Sequence, residues 1–228
     1  MGWVIVVATY LVAAAFYLRL GTHALRLWEA SWRSPATPRR GTTGTLRSAA
    51  AALADVLLLR RLFVVNPALW LGEWTFHAAM TLVVLRHLRY FTNPVPPWVL
   101  GAQTPGWIAG FLLPAAVLYV LAVRVLTRRE QYTSPANVLM LLDVLAIAAT
   151  GLLLATRHRV DLVQVKVYAL GIVTFRPAPP PSDWLLAAHL ALVMALVLYV
   201  PSHVFTAPLT LLDARRRDLE RARVLHDA

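Results

Sequence analysis

NPALWLGEWTFHAAMTLVVLRHLRYF, Asn66 to Phe91, is the stretch whose reading decides the fold. It is long and apolar enough to cross a bilayer as one helix. Asn66 can cap its start, and Pro67 stands at the first helical position, where a missing N–H costs nothing. His77 and His87 lie inside this run. At about 100° and 1.5 Å per residue, the ten positions between them leave the two rings within roughly 80° of each other and about 15 Å apart in depth. Both face much the same neighbour, and ionisable groups at such depth require a partner.

A second apolar run, WLLAAHLALVMALVLYVPSHVF from Trp184 to Phe205, carries His189 and His203. Their spacing of fourteen places them within about 40° of one face and about 21 Å apart on a straight helix. Two helices, each with two stacked imidazoles, form the arrangement that holds two haems by bis-histidine ligation. If the helices run antiparallel, His87 and His189 pair at the outer level and His77 and His203 at the inner level. Tilt and a kink at Pro201 absorb the unequal spacing.

Composition agrees with a membrane protein. Of 228 residues, 59% are hydrophobic and 14% charged, and no soluble domain has that balance. Further apolar runs at Trp3–Leu20, Trp107–Leu126 and Val138–Ala155 complete an all-α bundle of five transmembrane helices, about 3–20, 67–91, 107–126, 138–155 and 184–205. The first run has its arginines behind it rather than before it, which reads as a retained helix and not a secretory signal. The net charge of +11 collects between helices one and two, after helix three at Arg124, Arg128 and Arg129, and in the tail. These regions fall on one side of a five-helix topology. The positive-inside bias therefore places the N-terminus outside and the C-terminus in the cytoplasm, and accounts for the basicity without nucleic acid. The membrane domain spans 1–206 with a cytoplasmic segment at 21–66, and 207–228 is a basic cytoplasmic tail. With no cysteine in the chain, disulfides, iron–sulfur ligation and thioether attachment are excluded, so any haem is non-covalent b-type.

The remaining segments give weaker expectations. Leu46–Val65 reads as an amphipathic helix on the inner surface or a loop helix packed on a partner. Met80 and Val84 share the stripe of His77 and His87, as haem contacts or as ordinary packing. Arg86, Arg89 and Tyr90 cluster at the outer end, as contacts to haem propionates or a quinone headgroup, or as residues snorkelling to the interface. Pro114 is expected to kink helix three unless neighbours compensate. Asp143, inside helix four, is expected to pair with a nearby arginine. The alternation Val163, Val165, Val167 against Gln164, Lys166, Tyr168 predicts a short extended segment or hairpin on the outer side. Lys166 and Tyr168 are candidate contacts in a loop that walls a quinone pocket. His23, His158 and His226 read as ordinary exposed residues.

With these residues in view, the chain resembles the membrane cytochrome b family that includes the gamma subunit of respiratory nitrate reductase. It is similar to the membrane subunits of heterodisulfide-reductase-like and dissimilatory-sulfite-reduction-linked complexes. The resemblance rests on five helices, the RRLF segment Arg60–Phe63, the ten-residue spacing in FHAAMTLVVLRHLRYF, and HLALVMALVLYVPSHVFTAPL from His189 to Leu209. The nitrate-reductase branch spaces the second histidine pair more widely, which favours the heterodisulfide or sulfite-linked branch. The resemblance implies a respiratory electron-transfer subunit in a prokaryotic cytoplasmic membrane, with two haems b. It would exchange electrons between quinone on the outer side and a cytoplasmic iron–sulfur subunit. The competing class is a transporter or channel using intramembrane histidines for metal or proton binding. Against it stand the lack of a visible repeat and the absence, in helices two and five, of the carboxylates a cation path would usually add.

Overall fold

A computed structural model describes residues 2–33, 54–55, 57–126 and 134–201. Its long helices are α1 (Gly2–Arg33), α3 (Pro67–His87), α5 (Gln103–Leu126), α6 (Pro135–Thr156) and α8 (Trp184–Pro201). Shorter helices are α2 (Arg60–Val65), α4 (Pro97–Gly101) and α7 (Leu162–Val173), and a 3-10 turn, Leu88–Tyr90, extends α3. Among the described residues the protein is helical with no strand. Five helices are long and apolar enough to cross a membrane.

The core lies between α3, α5 and α6. Leu69, Phe76 and Ala79 of α3 meet Ala109, Leu113, Ala116, Val117 and Val120 of α5 and Leu141, Val144 and Ala148 of α6. Small residues bring the backbones close, as expected where lipid supplies no hydrophobic drive between helices. A Cβ on Gly72 would lie 2.7 Å from Tyr119 Cδ1, and one on Gly106 would lie 2.6 Å from Arg86 Cβ and 2.8 Å from the Leu82 carbonyl oxygen. Leu11, Leu118 and Leu139 point outward, as a lipid-facing surface requires. Asn66 caps α3 as its sequence predicts, accepting from the Leu69 N–H at 2.9 Å.

α1 stands apart from this core and makes its polar contacts with α7 and α8. Thr9 Oγ1 hydrogen-bonds Tyr168 Oη at 2.7 Å and lies 3.8 Å from Met194 Sδ, and Arg19 Nη1 donates to the Leu198 carbonyl at 2.7 Å. The helix does not stop at Leu20 but continues to Arg33. Gly21 alone costs a helix about 1 kcal/mol, too little to end it, and no proline occurs before Pro35.

The extended segment expected around Val163–Tyr168 is instead the helix α7. Asp161 accepts hydrogen bonds from the Val163 and Gln164 N–H groups at 2.9 and 3.2 Å, which nucleates a helix start. The buried residues Tyr168, Ala169 and Gly171 follow helical spacing, not alternation. A helix satisfies its own backbone groups next to an apolar bundle, and that outweighs the strand preference of the valines. Past α7, Phe175 takes a left-handed backbone (φ 57°) and stacks on Tyr10 at 6.2 Å. α5 runs unbroken through Pro114. Of Leu46–Val65, only the part from 54 onward is described, apart from 56, and its last turns form α2.

Candidate functional site

On an apolar helix, the least satisfied atoms are those of the imidazoles, so their hydrogen bonds define the site. His77 Nδ1 donates to the Glu73 carbonyl at 2.6 Å, and His87 Nδ1 donates to the Val83 carbonyl at 2.7 Å. Each ring is thereby turned back along its own helix by one turn. Both rings are exposed on the flank of α3 beside its packed face. A neutral imidazole that donates from Nδ1 presents the Nε2 lone pair outward, the tautomer and orientation that metal ligation uses.

His189 reaches the same state by another route. Thr150 Oγ1 donates to the Ala146 carbonyl at 2.8 Å, so it accepts from His189 Nδ1 at 2.9 Å. The threonine thus carries the orienting role across helices, from α6 to α8. Gly151 makes room for the ring: a Cβ there would lie 3.2 Å from His189 Cε1. His87 and His189 are both described, each with its Nδ1 engaged. His203, the expected partner of His77, lies outside the described residues, as do His226 and the basic tail.

At the His87 end, Arg89 Nη1 donates to Gln103 Oε1 at 3.0 Å, and Arg89 Nη2 donates to Tyr90 Oη. Gln103 Nε2 donates in turn to the carbonyls of Val99 and Arg86, at 2.9 and 3.2 Å. The Arg86 guanidinium sits 4.7 Å over the Trp107 ring, a cation–π geometry. Arg86, Arg89 and Tyr90 thus form one cluster, and α7 packs on the Leu88–Tyr90 turn beside it. Of the two α7 candidates, Lys166 is half-buried, while Tyr168 is buried against Thr9 of α1. Burial pushes the Tyr168 phenol up, against the opposing effect of the Thr9 hydrogen bond. Met80 packs on the core, whereas Val84 is exposed.

Three placements differ from expectation. Arg124 is not merely a topological charge, because its Nη2 donates to Glu73 Oε1 and the two side chains keep only 15% and 11% of their surface exposed. His158 is not an ordinary exposed residue, because its Nε2 meets Asp183 Oδ2. The N–H of Leu186, which Asp183 caps at 2.8 Å, is the main cause holding that carboxyl below the ordinary aspartate range; His158 adds to it and burial opposes it. Asp143 has no arginine partner among the described residues; its expected pairing is not found. Glu73 is legible as a carboxylate inside an apolar run, but Thr150 and Gln103 carry no such signal, since a threonine or glutamine in a helix is ordinary until its neighbour is known.

No protein-family model and no solved structure matches the chain. Two curated archaeal proteins do. Over 149 residues the chain is 34% identical to the Hdr-like menaquinol oxidoreductase cytochrome b-like subunit of Archaeoglobus profundus, covering 58% of this chain and 44% of that one. The protein of the same name from Archaeoglobus fulgidus is 28% identical over 149 residues, covering 58% of this chain and 45% of the relative. The chain thus spans less than half the length of the curated relatives it matches. The heterodisulfide-reductase-like resemblance read from the histidine pattern is the one these relatives carry by name.

Proposed function

We propose that the chain is the diheme b-type cytochrome subunit of a membrane quinol-linked oxidoreductase. The observation that carries this reading is the common state of three intramembrane imidazoles: each has Nδ1 engaged, to Glu73, Val83 or Thr150, which leaves Nε2 for iron. The names of the two relatives support the quinol-linked, cytochrome b part of it.

The residues present fit haem. His87 and His189 hold the outer group, and His77 with His203 the inner one. Bound there, haem b supplies a one-electron couple. The chain's own part is to orient, bury and balance charge. The carbonyls of Glu73 and Val83 and the hydroxyl of Thr150 lock ring direction and raise imidazole basicity. The apolar flanks of α3 and α8 exclude water. Arg86, Arg89 and Tyr90 offer cationic and phenolic donors to propionates or a quinone headgroup at the outer end, with Lys166 on neighbouring α7. In the orientation given by the positive-inside bias, quinol is oxidised near His87, protons leave outside, and electrons pass inward toward His77. A cytoplasmic iron–sulfur protein then receives them, and the basic tail is its docking surface. The membrane is the cytoplasmic membrane of a prokaryote.

A dithionite-reduced minus air-oxidised spectrum of the purified full-length chain tests the proposal. The expected result is b-type absorption equivalent to two haems per chain, with one lost in His87→Ala or His189→Ala and the other lost in His77→Ala. Wild-type protein without b-type absorption, or these variants retaining all of it, overturns the reading.

A further inference from the structure

Among the described residues, the buried side-chain nitrogens that lack a hydrogen-bond partner are Arg89 Nε, Arg124 Nε and Arg124 Nη1. Arg89 is two residues from His87 in sequence. Arg124 belongs to α5, yet it is tied to Glu73, whose backbone carbonyl orients His77. Each histidine of α3 is thus associated with one arginine whose donors are incompletely used.

An unpaired buried donor costs about 1–3 kcal/mol, and more on a charged group. A guanidinium has five N–H donors in a planar fork suited to a carboxylate. Glu73 occupies one edge of Arg124 through Nη2. The remaining Nε and Nη1 lack partners, and Glu73, whose own charge is committed to Nη2, does not supply them. Nε and Nη1 lie on different edges of the guanidinium, so a second oxyanion beside Glu73 takes one of them. Glu73 stands one turn, about 6 Å, from His77 along α3. The same residue, Glu73, thus links Arg124 through its carboxylate and His77 through its backbone carbonyl.

We infer that Arg124, braced by Glu73, is the anion-holding residue of the inner site and takes a propionate carboxylate of the haem bound by His77. This rests on the proposed haem-binding role of His77. It adds a cofactor contact from α5, a helix that carries no histidine. The assignment makes a signed electrostatic demand on that haem. A nearby cation favours the reduced state, in which the iron carries one positive charge less, and a nearby anion disfavours it.

The test is a spectroelectrochemical titration of the full-length chain, purified in detergent, comparing wild type with Arg124→Gln, Arg124→Lys, Glu73→Gln and the double Glu73→Gln/Arg124→Gln variant. His77→Ala first identifies the inner haem as the one it removes; if it removes neither, the underlying reading fails. With that haem identified, Arg124→Gln is expected to lower its midpoint potential, Glu73→Gln to raise it, and Arg124→Lys to restore most of the wild-type value, while the outer haem does not move. The double variant removes both charges together and keeps the experiment readable if a lone buried charge prevents folding. Its inner-haem potential should fall between those of the single variants, or, where they do not fold, its haem content should drop relative to wild type. An unmoved inner potential in Arg124→Gln, equal shifts in both haems, or shifts of the same sign in Arg124→Gln and Glu73→Gln overturns the inference and leaves the haem reading intact. Phospholipid retained by wild type and lost in Arg124→Gln with an unmoved potential assigns the guanidinium to a lipid phosphate instead, and overturns it equally.

Discussion

The two ends of α3 hold their arginines in opposite ways. Toward Asn66, Arg124 is matched by an acid, Glu73, so charge is balanced inside the bundle. Toward His87, Arg86 and Arg89 meet a ring face, an amide and a phenol, and no carboxylate among the described residues. One end pairs its guanidinium with an acid, and the other keeps a net positive field. The same helix thereby presents two unlike environments to two imidazoles oriented by the same kind of hydrogen bond.

The largest expected effect breaks the likeness between the ends. His87→Ala should remove one b-type component and leave the component assigned to His77, as read from reduced-minus-oxidised spectra. If both vanish together, the two ends are not separate sites. Next comes the contrast in charge. Glu73→Ala leaves Arg124 buried without its acid and should destabilise the chain by about 3–5 kcal/mol, the cost of breaking a buried pair. Gln103→Leu, at the His87 end, strips acceptors and donors from its network and should cost about 1–3 kcal/mol. Thermal unfolding of the two variants in the same detergent compares these directly, and a larger loss for Gln103→Leu would reverse the distinction.

Packing sets a third test. Gly106→Ala forces a Cβ against the Leu82 backbone beside Arg86, so α3 and α5 must separate at the His87 end. A loss of about 1–3 kcal/mol is expected from such overpacking. The smallest effect lies outside the bundle. Asp183→Ala removes the cap of α8 and should cost about 1 kcal/mol. Because the folded-state pKa of Asp183 is lowered, its contribution is present in full above the ordinary aspartate value. It is lost as pH falls through the folded value, in the acid range below about pH 4. Wild type and Asp183→Ala should therefore converge in melting temperature toward low pH and differ by a constant amount near neutrality.

Much of the site is legible along the chain. His77, His87 and His189 stand out because imidazoles are costly in hydrocarbon, and the ten-residue spacing alone puts two of them near one face. Asn66 announces the start of α3 through its capping chemistry. The two departures in secondary structure share one cause. The valines around Lys166 alternate like a strand, and the polar residues after Leu20 look like a helix end, but in both places the outcome depends on what the backbone can pair with. Residues such as Thr150 and Gln103 acquire their roles from side chains on other helices, so no local pattern marks them.

The sequence by itself determined the number of membrane-length helices, the non-covalent nature of any haem, and the depth and facing of the imidazoles on α3, because hydropathy, the absence of cysteine and helical periodicity are local properties. Only the tertiary structure decided that Thr150 orients His189, that Glu73 neutralises Arg124, and that α3 packs mainly on α5. Those outcomes depend on how closely two helices approach and at what rotation, which Gly72 and Gly106 permit but which only the packed bundle sets.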